Sequence, residues 1–197
     1  MVQISAEFVL EKAGVGLGAE RIASVAMENG STAILGQYLA PDGSVRNTRF
    51  EIGDPGFPRK VTVRRVFGDG TSENRDYEFK SIVTPVLTGT ALDWMVLGPL
   101  LAGMRDGEAR EFTTWRLEDE GLGDAGTMTV TRQPTEVIVG HFYFTGANRH
   151  DISIADSSGT RELSVWMGGG FYSGWPVKII ERPVIEEHLA IEYRRIL

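Results

Sequence analysis

Three side chains in this sequence could do acid–base chemistry in an apolar setting. His141 and Tyr143 stand two apart, so in a strand they share a face with Val139. Asp93 lies beside Trp94 in a short apolar segment. An imidazole, a phenol and a carboxylate around one cavity could pass protons on a hydrophobic substrate without a cofactor, as an isomerase, cyclase or lyase does. Each also has a plainer use. A histidine inside an apolar run is more often a hydrogen-bonded core residue, and an aspartate ahead of a helical run is more often a cap. The other two histidines offer less. His150 follows Asn148 and Arg149 in what reads as a turn and should be exposed, and His188 precedes the last strand and should lie on the surface. No histidines have metal-site spacing, no serine sits in a G-x-S-x-G elbow, and there is no cysteine. The expectation is no metal and no cofactor.

The sharpest local pattern is Gly14-Val15-Gly16-Leu17-Gly18-Ala19, which fits the G-x-G-x-x-A dinucleotide fingerprint. Its context argues against a nucleotide. The preceding strand carries Glu7, Glu11 and Lys12, whereas a central parallel strand should be almost wholly apolar. No strand–helix alternation follows. The pattern reads instead as a glycine-rich hairpin between the first two strands.

Aromatic residues carry the stronger functional signal. Trp94, Trp115, Trp166, Trp175, Phe142 and Tyr143 fall on a short apolar helix and on alternating strands. Aromatic side chains inside a β-structure either line a ligand cavity or pack a core. The ligand reading assigns contacts to Trp94, Met95, Trp115 and Phe142.

The elements that would position these groups are mostly strands. The 24 glycines gather in turn clusters such as Pro41-Asp42-Gly43, Gly68-Asp69-Gly70, Gly146-Ala147-Asn148 and Ser157-Ser158-Gly159. Short runs rich in Val, Ile, Thr, Phe and Tyr separate them, and several alternate with period two. Met128 and Val130 oppose Thr127, Thr129 and Thr131. Leu163, Val165 and Met167 oppose Ser164 and Trp166. Val137 to Phe144 is apolar on both faces and reads as a central strand covered on both sides. One segment is helical, from about Ala91 to Ala102, with Thr90 as N-cap, Asp93 reaching back and a kink or restart at Pro99. It is too apolar for a surface helix and should plug the concave side of the sheet. The chain of 197 residues is expected to form a single domain over residues 1–197, mainly β, an antiparallel half-barrel or barrel with one plug helix.

The net charge of -7 and the lack of a basic stripe speak against nucleic acid. The longest apolar run, Trp94 to Met104, is broken by Gly98, Pro99 and Gly103, so no membrane span is expected. Met1-Val2-Gln3-Ile4 has no leader character. The chain as written reads as cytoplasmic, or as periplasmic if a leader has been removed.

The second half resembles the lipoprotein-localisation half-barrels, the LolA/LolB-like superfamily. The resemblance rests on the helical plug Leu92 to Met104 followed by Arg105-Asp106-Gly107-Glu108, the strand Phe112 to Leu117, then Leu163-Ser164-Val165-Trp166-Met167, Trp175-Pro176-Val177-Lys178-Ile179 and Leu189-Ala190-Ile191-Glu192-Tyr193. It implies an incomplete antiparallel barrel holding an acyl chain or similar apolar group, and it carries no catalytic residue. The function expected is therefore binding of a hydrophobic small molecule or acyl chain. The alternative is a cofactor-independent enzyme using His141, Tyr143 and Asp93 in the same cavity.

Alternation also assigns faces to two tryptophans. Trp115, sharing a face with Thr113 and Leu117, should point inward. Trp166, out of phase with Leu163, Val165 and Met167, should cover the outer face beneath a loop or the partner chain of a homodimer, and truncating it should cost less than truncating Trp115.

Overall fold

The computed structural model describes residues 4–12, 15–27, 30–53, 57–79, 84–118, 122–139, 144–169, 174–183 and 191–195. The first six strands form a meander: β1 (Ile4–Lys12), β2 (Val15–Ala26), β3 (Thr32–Leu39), β4 (Val45–Ile52), β5 (Pro58–Val66) and β6 (Ser72–Glu78). Then come β7 (Val86–Leu87), α1 (Leu92–Ala102), β8 (Ala109–Leu117), β9 (Leu122–Val139), β10 (Phe144–Asp156), β11 (Gly159–Gly168), β12 (Pro176–Pro183) and β13 (Ile191–Arg195). Among the described residues the thirteen strands belong to one sheet, ordered β6-β5-β4-β3-β2-β1-β13-β12-β11-β10-β9-β8-β7. Each pairing among the described residues is antiparallel except β7 with β8, which is parallel. Two meanders are thus joined through their terminal strands, β1 against β13.

The sheet curls around α1, which packs on β3 from one meander and on β11 and β12 from the other. Leu92, Trp94, Met95, Val96, Leu97 and Leu101 are all buried, on every side of the helix. A helix without a polar stripe can only be an interior one. Pro99 stands inside it, so the Met95 carbonyl lacks its usual donor four residues on. Two glycines let the helix sit this close. A Cβ at Gly36 would lie 2.8 Å from the Leu92 side chain, and one at Gly98 would lie 2.4 Å from the Gly174 carbonyl oxygen.

The helix starts one residue later than the sequence suggests. Ala91, not Thr90, is its N-cap, and no side chain caps it locally. The glycine-rich segment is the expected β1–β2 hairpin, with a bulge where Leu10 pairs Gly18 and Glu11 pairs Gly16. Two expectations need correcting. Val137 and Val139 are 70% and 78% exposed, so that run is not a central strand. Its described part, Val137 to Val139, pairs with Gly146 to Phe144 at the end of β9 away from β8, and residues 140–143 lie outside the described residues. Apolar residues on both faces cannot distinguish such an exposed strand end from a doubly covered strand. His150 is not in a turn. Gly146-Ala147-Asn148 lies within β10, whose pairing to β9 slips between Asn148 and His150, and His150 is buried. The turn residues there mark a bulge, which uses the same chemistry.

Of the two tryptophans, Trp166 takes the face that alternation implied but is buried there, and Trp115 does not take its expected inward position. On β8 the inward positions are Phe112 and Thr114, opposite Met128 and Gly126, while Thr113 is exposed. Trp115 is half-buried at the margin of the core, beside a register break between Trp115 and Leu117. Trp166 does face away from Leu163, Val165 and Met167, but it is only 6% exposed. It forms a small second core with Ala147 and Val177. Its ring lies between its cross-strand neighbours Arg149 and Lys178, at 5.6 and 5.4 Å, and its Nε1 donates to Glu136 at 2.7 Å. Long cationic side chains cover it without a partner chain.

Two outcomes follow for denaturant unfolding. Trp166→Ala should cost about 3–5 kcal/mol, as for a buried aromatic, and more than Trp115→Ala. Gly98→Ala, which by helix propensity alone would stabilise by about 1 kcal/mol, should instead destabilise, because the new methyl meets backbone.

Candidate functional site

Register alone lays out the concave face of the first meander. Across β2 to β6, Glu20 sits beside Tyr38, Tyr38 beside Arg46, Arg46 beside Arg65 and Arg65 beside Glu73. Two residues deeper along the strands the row reads Ile22, Gly36, Thr48, Val63, Arg75, and the next reads Ser24, Ile34, Phe50, Val61, Tyr77. The face therefore grades from charged, at the hairpin end of the sheet, to apolar under the helix. From the second meander Arg161 and Glu181 reach the same charged end and pair at 2.6 Å.

An open concavity of about 620 Å³ occupies this end. Leu17, Tyr38, Val45, Val66 and Phe67 give it apolar surface, and Arg46, Arg65, Arg116 and Arg161 surround it, with Asp42 and Glu181 as the acidic members. The segment Thr88-Gly89-Thr90 ahead of α1 forms its floor. Its size is that of a small-molecule site, about 300–1,000 Å³. A narrow cleft of about 10 Å³ continues beneath it to Asp93 and Trp94.

Two buried carboxylates close the floor. Asp93 accepts from the Thr88 and Gly89 backbone N–H groups, both at 2.8 Å, and from the Thr88 hydroxyl at 2.6 Å. Glu20, 1% exposed, reaches from β2 to accept the Ala91 N–H at 2.8 Å. Burial raises the Glu20 pKa to about 7, against the hydrogen bonds from Thr90 and Ala91 that favour its charge; Asp93 adds to the rise and Arg46 opposes it. Burial also raises Asp93, opposed first by its bonds to Thr88. At the other end of the helix, Arg132 Nη1 donates to the Met104 carbonyl. His150 lies nearby, and neither ring nitrogen has a hydrogen-bond partner of normal geometry. Burial lowers its pKa, helped by the charge of Arg132 and opposed by the Leu101 carbonyl.

Two glycine-dependent contacts position the rim. Gly18, at φ 135, carries no Cβ where one would lie 2.4 Å from the Leu39 carbonyl oxygen and 3.0 Å from the Tyr38 ring. Tyr38 can then donate its hydroxyl to the Leu17 carbonyl at 2.7 Å and hold its ring under Arg46, 5.9 Å away.

The residues singled out from sequence are scattered by comparison. Asp93, Trp94 and Met95 lie together on α1, and Asp93 reaches back to the N–H groups of Thr88, Gly89 and Thr90 ahead of the helix. Trp115 stands at the core margin. His141, Phe142 and Tyr143 lie outside the described residues, as does His188. Glu20, Tyr38, Arg46 and Arg65 were missed. Their signal was present: Glu20 is in phase with Ile22, and Arg46 with Thr48 and Phe50, so each is a polar residue on the core-facing side of a strand. Among the described residues no three His, Asp or Glu side chains gather as a metal site, and no helix is long and apolar enough to cross a membrane.

No family model matches the chain, and no curated protein matches it in sequence. Among solved structures, a β-barrel-like protein of domain of unknown function DUF1849 from Brucella abortus superposes with a TM-score of 0.59 over 100% of this chain and 96% of that one, at 8% identity. This chain has a β-barrel-like fold. At that identity the likeness carries fold alone. The hypothetical lipoprotein YmcC from Escherichia coli aligns over 98% of this chain and 86% of its own, at 11% identity and a TM-score of 0.40.

Glu20 generates a pH prediction. Its folded pKa of about 7 exceeds the ordinary 4.5. Between those values the native state keeps a proton that the unfolded chain has released. Its contribution is therefore complete below pH 4.5 and is lost as pH rises through about 7. The span corresponds to roughly 3 kcal/mol. In denaturant unfolding across this range Glu20→Gln should flatten the decline and be more stable than the parent above pH 7. Asp93 contributes with the same sign, so part of the slope should remain.

Proposed function

We propose that this protein binds a hydrophobic small molecule or an acyl chain, held in the concavity at the hairpin end of the half-barrel. The observation that carries the reading is the concavity itself, about 620 Å³ and open, where Leu17, Val45, Val66 and Phe67 meet a polar rim. Phe67 lines the concavity and is 37% exposed, apolar surface that a ligand there would cover. The half-barrel with a helix across its concave face is in keeping with the resemblance to the lipoprotein-localisation group. On this reading Trp94 and Met95 back the site from below. Deeper entry of a chain would require α1 to shift, since its side chains occupy the space between the two meanders.

The enzymatic alternative would draw on Glu20, whose pKa of about 7 suits a general base. Its carboxylate is committed to the Ala91 N–H and shielded from the concavity, which favours binding over catalysis.

The test is uptake of an environment-sensitive naphthylamine dye, displaced by laurate or dodecanol. Wild type should bind the dye with a rise in emission. Phe67→Asp should weaken binding about tenfold, the loss expected for one apolar contact of this size. Absence of uptake by wild type, together with no displacement, would overturn the proposal.

A further inference from the structure

We infer that His150 is an acid-operated latch on the last turn of α1. When its ring takes up a proton, residues 99–103 unwind outward, and the core space held by Leu101 and Met104 opens to an apolar ligand. The admission of ligand rests on the binding reading above; the latch does not.

His150 is 1% exposed and stands on β10 directly between Arg132 of β9 and Val165 of β11. The end of α1 covers it, with the Leu101 backbone close to the ring. Neither ring nitrogen has a hydrogen-bond partner of normal geometry. Buried polar atoms without partners are costly, so the closed position is one that the ring leaves readily once water can reach it.

The charge that faces the ring is positive. From β9 it meets Arg132, and from β11 and α1 it meets Val165 and Leu101, which cannot ionise. Its neighbours on β10, Arg149 and Asp151, pair with each other at 2.8 Å on the opposite face. Asp106 lies beyond Arg132, 3.0 Å from its Nε and more than half exposed, and on β8 Arg110 holds Glu108 at 2.7 Å. Among the described residues no carboxylate stands within ion-pair distance of the ring. Burial keeps its pKa below the ordinary 6.5, helped by the Arg132 charge and opposed by the backbone of Leu101, Asn148 and Val165. A proton there places a second cation beside the first in the core, and water relieves it.

The last turn of α1 is the part able to yield. Pro99 removes a helix bond at its base, and Pro99, Ala102 and Gly103 are exposed. Outside the core it is held by Arg132 on the Met104 carbonyl and by the long contacts of Arg110 to the Leu100 and Gly103 carbonyls, 3.5 and 3.4 Å. The start of the helix responds to acid in the opposite sense. There Glu20 accepts the Ala91 N–H, and its buried carboxyl is at ease when protonated. Falling pH therefore settles one end of α1 while it loosens the other. A released ring titrates near 6.5 and a closed one below it, so release is disfavoured above 6.5. Below that value one proton favours release by at most about tenfold per pH unit.

Amide hydrogen exchange and NMR of the full chain, between about pH 8 and about pH 5, decide the latch. The His150 ring resonance, assigned by its loss in His150→Gln, should titrate with a midpoint below 6.5. Protection of the Leu101 and Ala102 amides, corrected for the intrinsic pH dependence of exchange, should fall through the same midpoint. Protection of Met95 and Val96 should not. In His150→Gln the fall should vanish, and in Glu20→Gln it should persist. Arg132→Gln should raise the His150 midpoint. If a variant does not fold, the joint titration of ring and protection in the wild type decides. Dye uptake, with uncharged dodecanol as competitor, should tighten severalfold toward acid in the wild type and stay level in His150→Gln. Protection that ignores pH while the ring titrates, or a ring that stays neutral throughout, would overturn the latch. Protection that falls with level dye uptake would overturn the admission of ligand and keep the latch. No dye uptake at any pH would overturn the binding reading alone, and the protection of Leu101 and Ala102 would still judge the latch.

Discussion

The structure depends on burying a helix that has no polar side. Apart from Asp93, the residues of α1 are apolar on every side, so the helix must be wrapped, and its end groups must then be satisfied without water. The chain does this with charge. Asp93 gathers the N–H groups of the loop before the helix, and Glu20 takes the N–H of Ala91 from across the sheet. At the far end Arg132 bonds the Met104 carbonyl, and Arg110 approaches the carbonyls of Leu100 and Gly103 at 3.5 and 3.4 Å. The arginines at the C-terminus also have the sign that the helix dipole favours there. These groups come from β2, β8 and β9 as well as from α1 itself. The helix is therefore tied to both meanders, and the curl of the sheet and the placement of the helix are one problem with one solution.

That solution creates the gradient on which the functional reading rests. Because the helix start must be closed by carboxylates, the sheet is polar at that end. Because the helix body must be packed, the same strands become apolar within four residues, from Arg46 to Phe50 on β4 and from Tyr38 to Ile34 on β3. The concavity opens where the two regimes meet.

Parts of this were legible in the residues. The hairpins at Pro41-Asp42-Gly43 and Gly68-Asp69-Gly70 form where turn chemistry places them, each with an aspartate bonding two residues ahead, Asp42 to Ser44 and Asp69 to Thr71. The plug helix lies within one residue of its expected bounds. The glycine fingerprint was readable as a hairpin, but its purpose was not. Gly18 is needed because Leu39 and Tyr38 press on it from a strand that follows some twenty residues later. The apolar run at Val137 and the turn-like residues before His150 misled for a related reason. Local pattern reports which chemistry a position tolerates, and an exposed strand end and a covered strand, or a turn and a bulge, tolerate the same.

The sequence by itself determined that this chain would be a strand-rich structure closed over one apolar helix. Alternation, turn residues and helical spacing are properties of neighbours along the chain and survive any arrangement of the whole. Only the tertiary structure decided that β1 would pair with β13, that Glu20 would meet Ala91 across 71 positions, that Trp166 would be covered by Arg149 and Lys178, and that Arg46 would stand opposite Arg65. Each of these depends on strand order and register, and a slip of one residue in any strand would turn the same side chains to the other face.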